Sequence, residues 1–137
     1  MNNLPAGIEI KGNALNFGNY EVKEKIKIND FGHEGAMYNL RSYSEANRLE
    51  KNNELLLETI PGSFVYDFVQ DESNCKFGIK SNASNVQITL GLLPEVSYEL
   101  AINGKSEHIK ANIGGKVSFS VEILPEGSSV VVSKIDA

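Results

Sequence analysis

The stretch Asn85-Val86-Gln87-Ile88-Thr89-Leu90-Gly91-Leu92-Leu93-Pro94-Glu95-Val96-Ser97-Tyr98-Glu99-Leu100-Ala101-Ile102 decides the fold class. In its first half Val86, Ile88, Leu90 and Leu92 share one phase and Gln87 and Thr89 the other; in its second, Tyr98, Leu100 and Ile102 alternate with Glu99 and Ala101. Side chains of a strand point alternately to opposite faces, so each half reads as a strand with one buried face. The pattern extends in both directions. Val117, Phe119, Val121 and Ile123 oppose Ser118, Ser120 and Glu122, and Cys75, Phe77 and Ile79 oppose Lys76, Gly78 and Lys80. Phe64, Tyr66 and Phe68 are expected inward, against Val65, Asp67 and Val69 outward. Val22, Ile26 and Ile28 face away from Glu21, Lys23, Lys25 and Lys27, with Glu24 breaking the phase as a bulge or edge position would allow.

Turn residues punctuate these segments. Asn103-Gly104 tolerates the positive φ angles of a type I′ hairpin turn, and Asn52-Asn53, Pro61-Gly62, Asn82 to Asn85, Gly114-Gly115 and Pro125-Glu126-Gly127 mark further turns. Turns about ten residues apart between short alternating strands are the pattern of an all-β sandwich or barrel. Ser44 to Lys51 reads either as a short helix capped by Ser44 or as a strand with a polar face.

Between the first two strands, Leu92, Pro94 and Tyr98 stand at the spacing L-x-P-x-x-x-Y. This resembles the tyrosine corner of fibronectin type III and immunoglobulin-like sandwiches, in which a tyrosine ring packs in the core and its hydroxyl bonds backbone a few residues upstream. The resemblance covers Asn85 to Ile135 and is similar to accessory modules of polysaccharide-degrading enzymes and bacterial surface proteins. It implies a two-sheet antiparallel β-sandwich, with the N-terminal strands completing the sheets of one domain over residues 1–137. It is nearly silent on function, because sandwiches host many unrelated activities.

Composition narrows the function classes. The 137 residues are 41% hydrophobic and 23% charged, proportions of an ordinary globular chain, and the net charge of −5 gives no surplus of cations to neutralise phosphates. Neither nucleic acid nor an anionic membrane surface is an expected partner. The first residues lack the basic and apolar regions of a secretory signal, so synthesis in the cytoplasm is expected, with a non-Sec route to any surface location. The lone Cys75 allows no internal disulfide.

Candidate chemistry is sparse. Asp30-Phe31-Gly32-His33-Glu34 would bring two carboxylates and an imidazole into one loop, suited to metal or general acid/base work, but no second histidine stands at a ligand spacing and a solvated turn explains it better. His108 reads as a polar-face residue. Cys75 is expected inside and inert; Ser63 has no neighbouring base. No nucleophile elbow, phosphate-binding glycine loop or zinc-protease motif occurs, so neither catalysis nor a cofactor is expected. Tyr38 and Tyr43 lie in opposite strand phases, so at least one faces outward beside Arg41, and these three form the candidate binding patch for a glycan or protein. Gly7 to Lys11 carries Ile8 and Ile10 in one phase and is expected to add to a sheet edge, either of its own chain or of a neighbouring copy.

Three functions follow as expectations. The first is a non-enzymatic structural or assembly protein of a surface layer, coat or appendage that self-associates through strand edges. The second is a carbohydrate-binding or accessory module. An enzyme using the Asp30 to Glu34 segment is the third.

Overall fold

The structure is a computed structural model and describes residues 7–71 and 73–135. Among them are thirteen strands and no helix. The first six are β1 (Ile8–Lys11), β2 (Ala14–Phe17), β3 (Ile26–His33), β4 (Ala36–Tyr43), β5 (Ala46–Lys51) and β6 (Glu54–Ile60). Then come β7 (Phe64–Gln70), β8 (Asn74–Lys80), β9 (Asn85–Gly91) and β10 (Ser97–Ile102), followed by β11 (Lys105–Lys110), β12 (Lys116–Glu122) and β13 (Ser128–Lys134). They form two antiparallel sheets, a seven-stranded one in the order β1-β2-β7-β8-β13-β10-β11 and a six-stranded one in the order β12-β9-β6-β5-β4-β3. Both contribute to one apolar cluster, through Phe17, Val65, Phe77, Leu100 and Val132 of the first sheet and Leu40, Leu49, Leu57, Ile88 and Phe119 of the second. The arrangement is consistent with a β-sandwich.

The hairpin turns follow from local chemistry. Asn52-Asn53 and Asn103-Gly104 have positive φ at both central positions, as expected, and so does Glu34-Gly35, which the sequence does not announce. The β9–β10 connection crosses from one sheet to the other, and there the corner forms. Tyr98 is 2% exposed and its hydroxyl accepts the Leu93 N–H at 3.1 Å. Leu92 packs against the core and donates its N–H to Gly115 C=O, while Pro94 is exposed on the outside of the bend.

Four expectations change. Residues 46–51 are strand β5, so the helical alternative for Ser44 to Lys51 fails; Ser44-Glu45 is a hairpin turn, and pairing on both sides with β4 and β6 outweighs local propensity. Val22 precedes β3, holding the Ser44 N–H through its carbonyl rather than extending the strand. In β7, Val65 and Phe68 are buried while Phe64 and Tyr66 stack on the outer face at 5.5 Å. The cause is a bulge at Asp67 (φ 54°), whose N–H goes to Asn16 Oδ1; one irregular residue resets the parity of the strand. Finally, Asp30 to His33 is not a loop but the end of β3, with only Glu34 in the turn.

Candidate functional site

Residues named from the sequence scatter over the molecule. Tyr38 points inward with Ala36 and Leu40 and is 7% exposed; burial, and then the charge of Glu34, raises its pKa. It therefore leaves the proposed patch. Arg41 and Tyr43 do share the outward face of β4, as their phase requires. Arg41 donates to Leu40 C=O and Asn29 Oδ1, and Lys25 Nζ lies 5.1 Å from the centroid of the Tyr43 ring, on the face a sugar would need.

The acid/base cluster shrinks to a pair. His33 Nε2 is 3.2 Å from Glu34 Oε1, and the imidazole tilts against Tyr38. Among the described residues no group of three or more His, Cys, Asp or Glu side chains is placed to hold a metal. His108 is exposed on β11. Burial, and secondarily Asp71, pushes the Cys75 thiol up to about 12, which keeps it protonated and unreactive. Ser63 is buried, and its Oγ donates to Pro61 C=O.

One end of the molecule is concave. A groove of about 860 Å³ has an apolar floor from Leu56, Leu92 and Tyr98 and a rim on which Arg48, Lys51 and Lys116 mix with Glu54 and Asp71. A smaller hollow of about 250 Å³ beside His33 and Tyr38 shares Lys51 and Asp71 with it. Mixed charge on the rim selects no sign of ligand, and the groove's one aromatic, Tyr98, is buried and offers no stacking surface.

The sheet edges differ more sharply, and sequence reasoning about side chains could not find this because an edge is defined by strand order. Among the described residues each sheet ends in two unpaired flanks: β1 and β11, and β12 and β3. An exposed edge invites another strand, and proteins blunt it with charge, bulges or brevity. β1 has four residues, with Ile8 half-buried against the core and Ile10 52% exposed, and it pairs with β2 of its own chain. β3 is bulged at Asp30 and carries Lys27. β11 exposes Lys105, Glu107, His108 and Lys110. β12, Lys-Val-Ser-Phe-Ser-Val-Glu, is charged only at its two ends and pairs with β9 over all seven residues without a register shift.

The parity of β12 determines which groups its free flank offers. Lys116 gives its N–H to Asn112 Oδ1 and accepts the Asn112 N–H at its carbonyl, so Lys116 faces away from β9. In an unshifted antiparallel pair every second residue does the same, which places the backbone groups of Ser118, Ser120 and Glu122 on the flank. The Glu122 carbonyl is taken by Ser128 Oγ at 2.6 Å. Loops thus close both ends of the flank, leaving an open window at Ser118 and Ser120.

Comparison with protein-family models, curated proteins and solved structures returns no match for this chain.

Proposed function

We propose that this chain is a non-enzymatic assembly protein that joins to its own kind by continuing a β-sheet from one molecule into the next, as a component of a layer, coat or appendage. The observation that carries this reading is the flank of β12, a regular strand with an apolar inner face whose central backbone donors and acceptors face outward without the charges and bulge found on the other long edges. Strand addition there would supply main-chain hydrogen bonds along an already ordered template, so little conformational entropy is lost on one side of the contact. The finer expectation of an immunoglobulin or fibronectin type III relationship belongs to the same reading, supported by the sheet-crossing corner at Tyr98.

Size-exclusion chromatography with light scattering tests it. Mass should rise with concentration, and Ser118→Pro should hold the protein monomeric, since it removes an N–H that faces away from β9 and spares the ladder inside the chain. A wild-type protein that stays monomeric at high concentration would sink the proposal.

A second reading, a carbohydrate-binding accessory module, draws on the stacked Phe64 and Tyr66 rings on the outer face of the seven-stranded sheet. Both are half-buried and Lys80 Nζ lies 5.7 Å from the Tyr66 ring centroid, so the platform is smaller than two free rings. A polysaccharide pull-down lost in Tyr66→Ala would favour it.

A further inference from the structure

Resting on the assembly reading, we infer that β12 pairs with β12 of a second copy, antiparallel, across a twofold axis at Phe119. The strand reads nearly the same in both directions about that residue: Val117 mirrors Val121, Ser118 mirrors Ser120, and the end charges Lys116 and Glu122 are opposite. In a closed twofold contact each residue meets its own mirror position on the other copy. Centred on Phe119, Lys116 therefore opposes Glu122 of the second copy at both ends, Val117 opposes Val121, and Ser118 opposes Ser120. Every facing pair is complementary in charge or matched in kind, the condition under which cross-strand pairs stabilise.

The backbone fits the same register. Hydrogen bonds between the copies form where both partners have free outward groups: Ser118 and Ser120 offer both donor and acceptor, Glu122 only its N–H, and Lys116 neither. With the axis at Phe119, each Ser118 faces a Ser120 of the second copy and exchanges two hydrogen bonds with it, using every free group in the window. An axis at Ser118 would instead set Ser120 against Lys116, whose N–H and C=O already belong to Asn112. An axis at Ser120 would set Ser118 against Glu122, whose carbonyl is held by Ser128. The first alternative halves the bonding, the second leaves both Ser118 N–H groups facing a carbonyl already engaged, and both leave the end charges unmatched. The Phe119 register also continues the outer hydroxyl row, in which Ser118 Oγ already meets Thr89 Oγ1 at 3.0 Å and Ser120 Oγ donates to Gln87 Oε1 at 2.8 Å. The product is a continuous sheet of two six-stranded halves.

Chains with one added cysteine resolve the register, and the buried Cys75 leaves a quiet background. Ser118→Cys and Ser120→Cys proteins, mixed and gently oxidised, should give a disulfide dimer containing one of each, while neither protein alone should cross-link efficiently. In parallel, Lys116→Glu should weaken dimerisation roughly tenfold by setting like charges opposite at both ends, and adding Glu122→Lys should restore it. Efficient cross-linking of Ser118→Cys with itself, or of Ser120→Cys with itself, would overturn the Phe119 register while leaving edge-to-edge assembly standing. Self-association that survives Ser118→Pro and gives no cross-link in any mixture would overturn the use of β12 and leave the assembly reading to another edge. A strictly monomeric wild-type chain would overturn both, including the case in which the window receives a strand from a different protein.

Discussion

Replacing Tyr98 by Phe removes the acceptor of the Leu93 N–H and nothing from the packed ring. A loss of about 1 to 3 kcal/mol in a urea melt is expected, the cost of a backbone donor left without a partner at a bend between sheets. Thr59 presents the opposite case: it is fully buried, and its Oγ1 finds no hydrogen-bond partner among the described residues, although Ser42, Asn47 and Ser63 beside it are linked in a chain of bonds. Thr59→Val keeps the shape and discards the unpaired hydroxyl, so the melt should shift toward greater stability by about 1 kcal/mol. Cys75 supplies a pH dependence with a definite sign. Its pKa rises from 9.0 to about 12 on folding, so the native state holds the proton after the unfolded chain has released it. The group's contribution is whole below pH 9 and is lost between pH 9 and about 12; wild type should therefore lose stability faster than Cys75→Ala across that interval.

At the scale of the element, the strands legible in the sequence are those whose two faces see different surroundings for their whole length. β9, β10 and β12 alternate cleanly because one face meets the core and the other meets solvent. β7 defeats the same reasoning because Asp67 adopts a left-handed conformation without a glycine to signal it, and the strand changes face in its middle. β5 is ambiguous in sequence since Ala46, Leu49 and Glu50 suit a short helix as well as a strand, and only its two neighbours settle the matter. The candidate site was legible as residues and illegible as a site: Ser118 and Ser120 were visible as the polar phase of a strand, but their position on an open flank depends on β11 joining the other sheet. For β1, pairing with β2 inside the chain leads to an expected outcome for truncation of residues 1–11. The fold should persist by circular dichroism while the urea midpoint falls, because β2 loses the strand that covers its flank and the core loses Ile8. An unchanged midpoint would make β1 a mere appendage.

For the whole molecule, one sheet carries the open flank and the other carries most of the aromatic packing. The six-stranded sheet ends in β12, where a second copy would extend it. In the seven-stranded sheet, Phe17, Phe68 and Phe77 form a chain of ring contacts at 5.8 Å, behind strands whose own flanks are short or charged. Under the proposed assembly, growth at one edge would leave the packing of the other layer undisturbed. It also means that the end groove near Lys116 would lie close to any β12 contact, since that residue belongs to both.

The place of β13 has a consequence for how the chain reaches its native state. It is the last strand described, yet it sits inside the seven-stranded sheet, between β8 and β10. A ribosome delivers the chain from its N-terminus, so while residues 128–134 are still in the exit tunnel, β1-β2-β7-β8 and β10-β11 have no seam to join them. Local hairpins can form early, but closure must wait, and contacts between residues far apart in sequence are slow to make. Residues 1–127 alone should therefore remain without a cooperative thermal transition, and a synthetic peptide spanning 128–135 added in trans should restore one. A cooperative transition in the fragment by itself would show that the two halves of the sheet are held together through the opposite layer.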